Sequence, residues 1–102
     1  MRRIRRSVSF ADAFEQLLAQ GLPAFGYDVV ADKKAKVEHT IRTFLVHHPV
    51  RPQDPVLDIY SYAVTDTPFV LLYDFDDDEL RIHLIIHARA DRRRVDLSRV
   101  VW

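Results

Sequence analysis

The chain contains no cysteine, only two glycines and a single methionine, and its formal net charge is zero. Each shortage closes off some chemistry. Without cysteine there are no disulfides, no thiolate nucleophiles and no cysteine zinc sites, so stability must come from packing. The same absence fits a reducing compartment. Two glycines cannot build a glycine-rich phosphate loop or a dinucleotide-binding fingerprint. No apolar run approaches the roughly 18 residues of a membrane span. The basic opening MRRIRRSVSF is not followed by an apolar stretch of signal-peptide length. A soluble, cytoplasmic protein is expected. A neutral total also argues against a protein that coats nucleic acid by bulk charge.

What is present is the composition of one globular domain spanning residues 1–102, with 48% hydrophobic and 29% charged residues. A chain of this size buries a single thin core, and a third layer is not expected. Its 15 basic and 15 acidic residues are segregated. Arg2, Arg3, Arg5 and Arg6 crowd the start, and Arg89, Arg92, Arg93, Arg94 and Arg99 the end. Asp74, Asp76, Asp77, Asp78 and Glu79 form an acidic knot between them.

Residues 3–9 read as a short edge strand with Ile4 and Val8 on one face. Ser9 is the expected N-cap of a first helix, with Asp12 completing a weak capping box. Phe10, Phe14, Leu17 and Leu18 follow at helical spacing, and Gly21 and Pro23 should end that helix near Gln20. Asp28 should cap a second helix carrying Val30, Val37, Ile41, Phe44 and Leu45 on its apolar stripe, stopped by Pro49. From Val56 the apolar period falls to two. Residues 56–64, 69–75 and 80–87 read as strands, the middle one apolar enough to be buried on both faces. On the last strand Leu80, Ile82, Leu84 and Ile86 should face the core, and Arg81, His83, Ile85 and His87 the other way. The order β-α-α-β-β-β predicts a two-layer α+β domain: an antiparallel sheet with a helical hairpin on one face.

This order, with the segment PFVLLYDFDDDELRIHLIIHARAD, resembles the RelE/ParE toxin superfamily. The segment matches that family's last hairpin, from a proline–aromatic strand start through a tyrosine and an acidic turn to an H-x-R-x-D ending, here His87, Arg89 and Asp91. SFADAFEQLL is similar to the family's first strand-to-helix junction. The resemblance implies a type II toxin–antitoxin toxin of the plasmid-stabilization kind, partnered by a cognate antitoxin. It further implies a homodimer or a toxin–antitoxin hetero-oligomer. The target would be DNA gyrase in ParE-like members, or mRNA in the ribosome in RelE-like ones. Asp54, Pro55 and Val56 stand where the family often has a glycine–arginine pair. The only late aromatic is Trp102, where ribonuclease members place a catalytic Tyr, His or Phe. Neutral charge and that ending favour the ParE-like reading.

RNA cleavage by 2′-OH attack needs a base, an acid and cations at the phosphate. Arg81, His83 and His87 on one strand face, continued by Arg89, are the candidate row for a metal-independent nuclease. The same row is equally the polar face of a solvated strand. His83 and His87 would lie roughly 13 Å apart along a strand, too far to share an ion, so no metal and no cofactor is expected. Arg92, Arg93 and Arg94 are candidates for binding a target or nucleic acid, or a solvated tail. Tyr60 and Tyr62 share a strand face and are candidates for base stacking, or for covering the sheet. His39, His47 and His48 are expected to be exposed and are assigned no role. If the first strand joins the sheet beside the last, the two basic clusters would merge into one anion-binding surface.

Overall fold

A computed structural model describes residues 1–102. Its elements are β1 (Arg3–Arg6), α1 (Val8–Phe25), α2 (Tyr27–His39) with a π-helical continuation (Thr40–Leu45), β2 (Gln53–Asp54), β3 (Ile59–Ala63), β4 (Phe69–Phe75) and β5 (Glu79–His87). Two short 3₁₀ turns follow, Arg92–Arg94 and Leu97–Arg99. The fold is α+β. The sheet has five strands in the order β1-β5-β4-β3-β2. It is mixed, which corrects the expected all-antiparallel sheet: β1 runs parallel to β5, while the other pairs are antiparallel. No helix is long and apolar enough to cross a membrane.

The first junction also differs from expectation. The strand stops at Arg6, and Ser7, not Ser9, is the N-cap, its side chain accepting from the Phe10 N–H at 2.8 Å. Ser7 wins because it is 1% exposed and already held by β5: its N–H donates to the Ile82 carbonyl and its hydroxyl to the His83 carbonyl at 2.6 Å. Helix α1 runs past Gln20 to Phe25 with Pro23 inside it. The terminator is Gly26, whose φ of 81° breaks the helix, and the same residue precedes α2, so Asp28 is not a cap but lies in the first turn. The expected strand 56–64 is shortened to Ile59–Ala63. Asp54 is why: its carboxylate accepts from the N–H groups of Val56 and Leu57, turning the chain before Asp58 at φ 53°.

The core lies on the helix side of the sheet. Phe10, Phe14, Val37, Ile41 and Leu45 pack on Phe69, Leu71, Tyr73, Leu80, Ile82 and Ile85. The other face of the sheet is also apolar. Ile59, Val70, Leu72 and Ile86 form a second cluster, covered by Ala90, Val95 and Leu97 of the segment following β5. The single thin core expected from length is therefore two, because residues 88–102 act as an irregular third layer.

Candidate functional site

The residues singled out on β5 do not form one row. Leu72 pairs with Leu84 but Tyr73 with Ile82, so His83 is an extra residue in a β-bulge. The bulge inverts the alternation beyond it. Arg81 and His83 lie on the face that carries Asp74. Ile85 and His87 turn to the helix side, and Leu84 and Ile86, expected in the main core, pack in the second cluster instead. His87 lines a cleft of about 190 Å³ beside Leu17, Leu18, Phe25, Val30 and Phe69.

Arg81 is enclosed by carboxylates. It donates to Asp74, to Asp76 at 2.9 Å and to Glu79 at 3.3 Å. The bond to Asp76 leads in holding Arg81 protonated beyond its usual range, with Asp74 and Glu79 adding to it against desolvation. In return Arg81 draws the Asp76 carboxyl below its ordinary value, helped by the Asp78 N–H. His83 Nε2 lies 3.0 Å from Asp74 but off the hydrogen-bonding line, so that nitrogen is buried without an aligned partner. The His83 ring meets the edge of Trp102 at 4.8 Å, and Arg5 stacks on Trp102 at the same distance. On the opposite face the Arg89 N–H donates to His87 Nδ1 at 3.1 Å, which places the proton of the neutral ring on Nε2.

The tail arginines are divided too. Arg92 reaches the 8%-exposed Asp54 at 3.1 Å and also donates to the Ala90 carbonyl. Burial opposes ionisation of Asp54, but the Leu57 and Val56 N–H groups with Arg92 outweigh it and hold its carboxyl low. Arg93 folds back on Asp91, whereas Arg89 and Arg94 form no ion pair. Strand β1 does join beside β5, but Arg92 pairs with Asp54 of β2 at the opposite edge of the sheet; Arg99 instead lies two residues before Val101, which clasps Ser9 in the first turn of α1, just after β1. Tyr60 and Tyr62 are half-buried against the helix-side core. Tyr60 stacks on Tyr73 and Phe75, and Tyr62 on Phe44.

The fold assembles another group of residues that sequence reading passed over. The π-helical stretch Thr40–Leu45 is held by the Thr40 and Thr43 hydroxyls, which donate to the carbonyls four residues back. Single π turns recur at functional sites. This one delivers Phe44, and the His47 and His48 N–H groups then close on the Phe44 carbonyl. Beyond it, the buried Tyr73 hydroxyl donates to the Pro49 carbonyl at 2.7 Å and fixes the next turn. Burial pushes the Tyr73 hydroxyl well above the ordinary tyrosine range. The result is a concavity of about 560 Å³ lined by Arg2, Phe44, His47, His48, Pro49 and Arg51. The only local signal was the H-H-P-V-R run; Arg2 joins it from 45 positions earlier in the chain.

No protein-family model matches the sequence. No curated protein matches it either.

Proposed function

We propose that this chain is the toxin of a type II toxin–antitoxin pair, RelE/ParE-like, acting ParE-fashion by binding a target such as DNA gyrase. The resemblance of the β4–β5 hairpin motivates the family. The observation that favours binding over cleavage is the state of the β5 residues. Arg81 is saturated by three carboxylates, His83 is shielded by Trp102, and His87 lies on the opposite face. A nuclease needs base, acid and cation around one phosphate. Arg89 and Arg94, without carboxylate partners, are the tail cations left for a target.

The antitoxin is expected to order a segment on this chain. Two surfaces suit it. One is the free edge of β1. The other is the cleft at the α1–α2 joint, where Leu22, Phe25, Tyr27 and Val29 are exposed beside the His87 pocket. Co-expression with the product of a neighbouring gene should yield a co-purifying complex, weakened by Phe25→Asp.

A second reading, a RelE-like ribosome-dependent mRNA endonuclease, is favoured by one detail: His87 and the unpaired Arg89 adjoin each other at an open cleft. Induction of the protein alone in bacteria separates the two. DNA breaks linked to gyrase with intact mRNA are expected. Ribosome-phased mRNA cuts lost in the His87→Ala, Arg89→Ala double variant would overturn the binding reading in favour of the nuclease. An absence of growth inhibition would overturn both.

A further inference from the structure

We infer that the concavity at the end of the π-helical turn is a binding site for the phosphate ester of a nucleotide. It stands on its own residues, independent of the toxin reading and of the β5 histidines. Two guanidinium groups and two imidazoles line it, and no carboxylate does. Elsewhere in the chain Arg6, Arg42, Arg81, Arg92, Arg93 and Arg99 each hold a carboxylate. Arg2 and Arg51 hold none. Arg2 is held without a carboxylate, donating to the Asp76 carbonyl at 2.7 Å and the Val46 carbonyl at 3.3 Å and lying over the Phe75 ring at 5.3 Å. Arg51 lies over Phe44 at 4.6 Å and Tyr62 at 5.5 Å, and its buried Nε has no hydrogen-bond partner. A partly desolvated guanidinium without an acceptor is costly unless something supplies one.

The missing acceptor is an anion. Donors reach the concavity from the chain start, the helix end and the following loop, an arrangement suited to a tetrahedral group with several oxygens more than to a planar carboxylate. The aromatic ladder adds a second specificity. His48 packs on Phe44 at 5.5 Å and Phe44 on Tyr62 at 5.3 Å, while His47 and His48 remain exposed at the rim. Exposed planar rings beside a cationic pocket stack bases. The walls are pre-formed, because Tyr73 pins Pro49 and the π turn pins both histidines. The phosphate ester belongs either to a free nucleotide or to a single strand.

Calorimetric titration of the intact protein with inorganic phosphate, AMP and a short oligouridine strand tests this. Saturable, salt-weakened binding is expected, tighter for AMP than for phosphate. Arg51→Met keeps the apolar stem over Phe44 and Tyr62 but removes the charge; it should weaken AMP binding about tenfold or more. Arg2→Met should do the same, and serves if Arg51→Met fails to fold. Lys34→Met, which removes one exposed charge from α2, should bind as the parent does. Binding of the strand much tighter than AMP would identify a strand as the source; equal affinities would identify a free nucleotide. Absence of saturable binding to all three ligands would overturn the inference. So would folded Arg2→Met and Arg51→Met proteins that bind like the parent.

Discussion

Ser7 does three jobs with one side chain and one N–H. It ends β1, caps α1 and ties both to the bulge at His83. Ser7→Ala removes a cap, worth about 1 kcal/mol, and leaves the His83 carbonyl short of a donor, worth about 1–3 kcal/mol. A loss of roughly 2–4 kcal/mol in denaturant-unfolding stability is expected, against near-neutrality for Val8→Ala at an exposed position. Tyr73 supplies a pH test. Its folded ionisation lies above its unfolded value of 10.0, because burial disfavours the phenolate. The unfolded chain therefore loses its proton first as pH rises. The stabilisation is full below pH 10 and is lost above it. Tyr73→Phe should lower neutral-pH stability by about 1 kcal/mol through the lost bond to Pro49. It should also flatten the alkaline decline seen by thermal unfolding in the parent.

Among the elements, legibility followed how local the signal was. Phe69–Phe75 stands where its apolar run predicts, and β5 begins one residue earlier than the alternation of LRIHLIIH indicates. The bulge was invisible, because one extra residue leaves composition untouched while reversing every side chain after it. That single event moved His87 away from Arg81. The shift of the cap from Ser9 to Ser7 was not legible, because only β5, about 75 residues on, selects Ser7. The covering segment read as a target-binding or solvated tail because it carries five arginines from Arg89 to Arg99; its anchors, Val95 and Leu97, are spaced among them. Asp54 and Arg92 secure that segment to the far edge. Arg92→Ala should speed amide hydrogen exchange across residues 93–101 while leaving β4 protected. Because the Asp54 carboxyl is held low, its contribution is present above about pH 3.8 and is lost as pH falls through its folded value. Asp54→Asn should remove that acid-range loss in a pH series of unfolding midpoints.

At the scale of the whole molecule, the sheet is sandwiched between the helices and the segment following β5. Val8 and Ser9 donate to the Val101 carbonyl, and the Val101 N–H returns a bond to the Ser9 hydroxyl at 2.8 Å. The outer cluster of Ile59, Val70, Leu72 and Ile86 depends on this closure. A Val95→Asp, Leu97→Asp double variant buries two charges or uncovers that face, and should reduce stability by about 2–4 kcal/mol. Increased fluorescence of a hydrophobic dye at unchanged helix content would mark the uncovered face.

The parallel pairing of β1 with β5 sets an order in time. Arg3–Arg6 has no other neighbour in the sheet, so β1 stays unpaired until Glu79–Ile82 has been synthesised. Its docking closes a loop of more than seventy residues, a long-range contact that arrives late and slowly. Until then Ser7 has no His83 carbonyl to bind, and α1 lacks both its anchor on β5 and the Val101 clasp. Until Glu79–Ile82 is made, β1 and the start of α1 therefore have no sheet to dock on.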